Sequence, residues 1–136
     1  MDLMNAMALS AKGMKAQSTR LRIISENIAN ADSTASSPGD LPYRRKVVLF
    51  ENALDRELGL NAVKVKKVDV DRGDFQRRYD PGHPSADAEG YVLLPNVNSL
   101  IEVNDMREAQ RSYEANIGVI DATRQMIMRT VDLLRN

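Results

Sequence analysis

Cysteine and tryptophan are both absent from this chain, and histidine occurs once, at His83. Without cysteine there are no disulfides, no thiolate metal sites and no cysteine nucleophile, and the chain suits an oxidising compartment as well as a reducing one. Lysine plus arginine equal aspartate plus glutamate at 19 each, so the formal charge is zero. That balance gives no reason to expect nucleic acid or an anionic membrane surface as a partner. No apolar run approaches the roughly 20 residues that a membrane helix needs, so direct membrane insertion is not expected. The opening Met1-Asp2-Leu3-Met4-Asn5-Ala6 has no basic stretch followed by an unbroken apolar one, and is not expected to act as a secretory signal peptide. Catalytic signatures are missing too: there is no glycine-rich phosphate loop, G-x-S-x-G or H-E-x-x-H. Asp80, His83 and Asp87 could be read as a metal-dependent site, but they lie on a proline-broken loop without the ligand spacing of zinc or calcium sites. The expectation is therefore no enzyme, no cofactor and no metal.

What is present divides the chain into three. All seven methionines fall at positions 1 to 14 or 106 to 128, and five of the six aromatics fall between Tyr43 and Tyr91. The ends and the centre thus have different kinds of core. From Asp2 to about Ala31 there is no proline, and a seam spaced by fours and threes runs Leu3, Met7, Ser10, Met14, Gln17, Leu21, Ile24, Ile28. This is the heptad spacing of a helix packed along another helix. Gly13, costly by about 1 kcal/mol inside a helix, sits among Ala6, Ala8, Ala11 and Ala16, a surface that lets another backbone approach. The far end has a similar seam: Met106, Gln110, Tyr113, Ile117, Ile120, Arg124, Ile127, Val131, Leu134. Ser99 and Glu102 ahead of it have capping-box spacing. Periodicity alone leaves an ordinary helical hairpin in a globular monomer open.

Between Leu41 and Asn98 the helical period disappears. Residues 43–50 (YRRKVVLF), 62–70 (AVKVKKVDV), 75–79 and 90–94 read as strands of a small antiparallel sheet or long hairpin, punctuated by Asp71-Arg72-Gly73-Asp74 and Asp80-Pro81-Gly82-His83-Pro84. Arg44-Arg45-Lys46 and Arg77-Arg78 read as charge clusters, commonly solvated faces or docking surfaces. The expected fold is α+β. Long N- and C-terminal helices, residues 1–31 and 99–136, pair as an antiparallel coiled-coil-like domain, and residues 32–98 form a loop and a β-rich middle segment.

Several stretches carry a resemblance. Residues 11–17 (AKGMKAQ) and 25–33 (SENIANADS) resemble the N-terminal signature of the bacterial flagellar rod and hook axial proteins. Residues 42–45 (PYRR), 79–84 (YDPGHP), 90–92 (GYV), 94–98 (LPNVN) and 109–117 (AQRSYEANI) resemble its proximal rod subunits more specifically. The resemblance implies a structural subunit in the rod of the basal body, spanning the periplasm. It would assemble through its terminal helices with copies of itself and other flagellar rod proteins into a helical tube that transmits torque and lines the export channel. It would be exported by the flagellar type III apparatus. Under this reading Met7, Met14, Leu21, Ile24 and Ile28 pack against Ile117, Ile120, Ile127, Val131 and Leu134. Tyr113 shares that seam, and Asn27 and Asn30 bond backbone or neighbouring chains where the first helix ends. The loop from Tyr79 to Pro84 would belong to an intersubunit contact. The competing expectation is a cytosolic coiled-coil adaptor that forms a discrete oligomer through the same seams.

Overall fold

The computed structural model describes residues 2–135; the outermost expected helix ends, Met1 and Asn136, lie outside the described residues. The order of elements is helix α1 (Leu3–Ala29), strands β1 (Lys46–Asp55), β2 (Leu60–Val70), β3 (Gln76–Tyr79) and β4 (Tyr91–Leu94), and helix α2 (Ser99–Arg135). Two long terminal helices thus enclose a small β-rich middle, the α+β arrangement expected. The strands form two separate two-stranded sheets, β1–β2 and β3–β4, where one sheet or one long hairpin was expected.

Local chemistry sets the helix ends. Asp2 accepts a hydrogen bond from the Met4 amide at 3.3 Å and so caps α1, satisfying a donor that the first turn leaves free. At the other end Asn30 donates its side-chain amide to the Glu26 carbonyl at 2.8 Å. The cap of α2 is Asn98 and not Ser99: the Asn98 side-chain oxygen accepts from the Leu100 and Ile101 amides at 3.1 and 3.4 Å. The expected capping box is therefore absent. Glu102 is fully buried and used elsewhere, because a carboxylate one turn into the helix here faces protein and not the helix start.

The chain separates into two compact units. The first gathers residues 1–21, 48–67 and 107–136; the second gathers 22–47 and 68–106. In the first unit α1 and α2 run antiparallel, as the pairing of Gly13 with Asn116 and of Arg20 with Glu108 requires. A Cβ placed on Gly13 would lie 2.9 Å from the Asn116 side-chain nitrogen, so what fills the space at this glycine is a side chain, where another backbone was expected. Lys12 pairs with Asp55 at 2.5 Å, which ties the distal end of the hairpin to α1.

In the second unit β3 and β4 pair in antiparallel register from Gln76 opposite Leu94 to Tyr79 opposite Tyr91. Residues 80–90 close the pair. Gly90, at φ +87°, adopts a backbone that a side chain rarely tolerates, and an added Cβ would lie 2.9 Å from the Tyr79 ring. His83 accepts the Ser85 amide on Nδ1 at 3.1 Å and lies 3.4 Å from the Thr34 hydroxyl through Nε2, joining this loop to the segment after α1. Asp87 accepts the Glu89 and Tyr91 amides, both at 2.9 Å.

Candidate assembly interface and its buried polar anchor

Ile23, Ile24, Val92 and Val97 are 5% exposed or less and make up the apolar core of the second unit. Asn27 and Glu102 are buried among the polar groups there, at 1% and 0%. Asn27 makes four hydrogen bonds. Its amide donates to the Lys46 carbonyl at 2.8 Å and to Glu102 Oε2 at 3.2 Å. Its oxygen accepts from the Tyr43 hydroxyl at 2.8 Å and from the Lys46 amide at 2.9 Å. One side chain thereby satisfies both backbone groups of the residue that opens β1.

Glu102 completes the cluster by accepting from the Arg45 guanidinium, which also faces Asp71 at 3.4 Å and Asp105 at 3.6 Å. Burial works against the Arg45 charge. The Glu102 hydrogen bond and the charges of Glu102, Asp71 and Asp105 outweigh it and hold the guanidinium above its ordinary pKa. Burial also pushes the Tyr43 phenol up, with Glu26 and Glu102 adding to it. Arg44 lies 4.2 Å over the Phe75 ring and donates to the Asp71 and Gly73 carbonyls at 3.0 Å. Asn96 accepts the Arg45 amide at 2.8 Å and donates to the Asp71 carbonyl at 2.9 Å. The Arg44-Arg45-Lys46 run, expected to be a solvated or docking face, is instead internal wiring in large part. The residues of the PYRR and LPNVN stretches each have a place in this unit: Pro42, Pro95 and Val97 are buried, Asn96 bridges, and Asn98 caps α2. No acid–base pair or nucleophile emerges from these groups. Their partners are backbone amides, carbonyls and one another, the pattern of a fold anchor.

The seam on α2 follows a different set of positions from the one expected. Its covered residues are Met106, Ala109, Tyr113, Asn116, Ile120, Thr123 and Ile127, with Ala109 and Thr123 buried at 0% and 5%. Met106, Tyr113, Ile120 and Ile127, seven apart, agree with expectation. Gln110, Ile117 and Arg124 are exposed, and the small residues one position earlier take their place. At Gly13 the reason is steric: the Asn116 side chain fills the space beside it, 2.9 Å from where a Cβ would lie. On α1, likewise, Ser10, Ala16 and Ile24 are buried, while Met7, Met14, Leu21 and Ile28 are only half-covered.

Ile117, Val131 and Leu134, expected to pack against α1, are 37%, 57% and 83% exposed. Val131 and Leu134 continue the covered Ile120–Ile127 stripe by four and then three, onto a stretch of α2 that α1 does not cover. Met126, Met128 and Leu133 add to the exposed apolar surface at 54%, 57% and 79%. An uncovered stripe of this size at the end of a helix is unusual on a solvated monomer. Sequence reasoning missed Glu102, Arg45 and Asn96. A buried carboxylate and an arginine just ahead of β1, far apart in sequence, carry no local signal; only Asn98, by its place before Ser99, could have been read as the alternative cap.

Comparison with known families agrees with this architecture. Residues 7–35 match the family described as "Flagella basal body rod protein", and residues 88–133 match "Flagellar basal body rod FlgEFG protein C-terminal". The class is thus that of flagellar basal-body rod proteins, whose two family signatures fall here on the two terminal helices and their inner flanks. Among individual relatives, the chain is 57% identical over 136 residues to the flagellar basal-body rod protein FlgC of Agrobacterium fabrum, covering 99% of this chain and 98% of the relative. It is 36% identical to the FlgC of Bacillus subtilis, over 98% of this chain and 99% of the relative. With the FlgC of Salmonella typhimurium it shares 38% over 98% of each. The chain belongs to the flagellar basal-body rod protein FlgC family. It is accordingly a structural component of the flagellar rod and not an enzyme, and it assembles with other rod components in the basal body. The adaptor reading is set aside.

Proposed function

We propose that the chain is a proximal rod subunit that self-assembles through its terminal helices into a helical tube, which transmits torque and lines the export channel. Residues 1–31 and 99–136 form the inner, helical domain, and residues 32–98 form the middle segment around it. The observation that carries this reading is the uncovered apolar continuation of α2, from Ile127 through Val131 to Leu134. Burying it requires other chains, and a head-to-tail contact whose rotation does not close produces a tube. Ile117, Val131 and Leu134 would meet neighbouring subunits. Tyr113, Ile120 and Ile127 would hold α2 against Met7 and Met14, and Asn27 and Asn30 would fix the end of α1. The reading includes export through the flagellar type III apparatus, which needs chains that pass a narrow conduit before assembling. The test is complementation of a strain deleted for this gene with the double variant Val131→Asp, Leu134→Asp. The expected result is loss of swimming and no rod in isolated basal bodies, with the subunit still exported. Normal swimming would sink the assignment of these residues.

A further inference from the structure

At several turns and helix starts a side chain accepts the backbone amide two residues further on. Asp2, Asp55, Asp71, Asp87 and Asn98 do this with an oxygen, for Met4, Glu57, Gly73, Glu89 and Leu100, at 2.8 to 3.3 Å. His83 holds the Ser85 amide in the same way at 3.1 Å, but with the ring nitrogen Nδ1. The difference is chemical. A carboxylate or amide oxygen keeps lone pairs free in mild acid, whereas Nδ1 has one lone pair and a proton takes it. Histidine is also the side chain whose charge ordinarily changes within roughly pH 5 to 8.

An amide N–H can only donate, so Nδ1 carries no proton here. The ring is neutral, and its proton is on Nε2, which faces the Thr34 hydroxyl at 3.4 Å. A second proton has to go to Nδ1. The Ser85 hydroxyl, 2.8 Å from Nδ1, can turn to accept it, but the Ser85 amide cannot and loses its acceptor. Ser85 is only 9% exposed, so water does not readily replace that bond. Nε2 carries its proton in both states, so the Thr34 contact survives and the break falls on Ser85. The turn is built onto the same residue: His83 donates its amide to the Asp80 carbonyl at 3.1 Å, and its carbonyl accepts the Ala86 amide at 3.0 Å.

We propose that His83 is a proton-operated latch on residues 80–90, closed while the ring is neutral and released when Nδ1 is protonated. The charged residues of the two segments that meet at the ring are all acidic: Asp32 and Asp40 after α1, and Asp80, Asp87 and Glu89 in the loop. Asp80 faces Arg78 at 3.8 Å, and Asp87 and Glu89 face Arg77 at 3.7 Å, while the ring's own bonds are to Ser85 and Thr34. The latch concerns the loop itself and does not rest on the assembly reading.

The test is nuclear magnetic resonance on the nitrogen-15-labelled full-length chain, at about pH 7.5 and about pH 5. At the higher pH the ring nitrogens should show Nδ1 bare and Nε2 protonated; a protonated Nδ1 there would overturn the proposal. On acidification the protection of the Ser85 amide against exchange, corrected for the intrinsic effect of pH, should fall about 10-fold. The Glu89 amide, held by Asp87, should keep its protection and serves as the internal control. Equal protection of Ser85 at both pH values refutes the latch. His83→Asn supplies an oxygen to the same amide with nothing to titrate in this range, and should hold Ser85 equally well at both. A loss in that variant as large as the parent's would remove His83 from the role. The parent titration decides the matter by itself if the variant does not fold.

Discussion

Replacing Asn27 with alanine deletes four hydrogen bonds at once, and the size of the effect can be worked from their partners. Three are to neutral groups, the Lys46 amide, the Lys46 carbonyl and the Tyr43 hydroxyl, between 2.8 and 2.9 Å. The fourth, at 3.2 Å, is to the Glu102 carboxylate, which has no exposure to water. Neutral bonds contribute about 1 kcal/mol each and one to a charged group about 2 kcal/mol. Water can reach Lys46 and Tyr43, which are half-exposed, and restore part of what they lose; it cannot easily reach Glu102. A net destabilisation of about 3 kcal/mol follows, a large share of the roughly 5–15 kcal/mol that holds a typical domain. Asn27→Asp should be at least as severe at neutral pH, since it sets a second carboxylate against Glu102. Asn30→Ala, which loses one bond at the half-exposed end of α1, should cost no more than about 1 kcal/mol. The assay is urea unfolding of the dilute full chain followed by circular dichroism, compared through midpoints at constant slope. If Asn27→Ala unfolds within about 0.5 kcal/mol of the parent, the cluster does not anchor the unit.

Other consequences can be checked alongside. Ile120→Asp or Ile127→Asp sets a charge on the face of α2 that meets α1 and should abolish rod assembly, scored as lost swimming in a complemented deletion strain. Gly13→Val adds bulk where even a Cβ lies 2.9 Å from the Asn116 side chain, and should likewise block assembly. Gly90→Ala forces a side chain onto φ +87° and against the Tyr79 ring; a loss of about 1–3 kcal/mol in urea unfolding is expected. The Lys12 hydrogen bond holds the Asp55 carboxyl below its usual range, and the Lys46 hydrogen bond does the same for Glu26. A depressed carboxylate stabilises the fold above its unfolded pKa and loses that contribution as pH falls through the folded one. Stability should therefore decline through and below the usual carboxylate range, and isolated rods of Asp55→Asn should show a shallower acid dissociation profile than the parent.

Much of the architecture is written locally. Helices at both ends follow from apolar residues repeating by fours and threes without proline. The four strands follow from β-branched and aromatic runs bounded by glycine, proline and aspartate, and the family resemblance follows from short stretches that keep their order. Even a close contact at Gly13 is legible, because glycine among alanines has few other uses in a helix, though not that the Asn116 side chain makes it. Which residues of the helices face inward was not legible. Two seams sharing Met106, Tyr113, Ile120 and Ile127 fit the period equally well, and hydrophobicity favours the one through Ile117, whereas the fold covers Ala109, Asn116 and Thr123. The same holds for the polar anchor. Glu102 has the spacing of a helix cap and Arg45 that of a solvated strand residue until the fold carries them, with Asn27, into one buried cluster. Periodicity is a property of a segment and survives in the sequence. Burial and pairing are properties of segments brought together from 16 to 88 residues apart, and only the tertiary structure decides them.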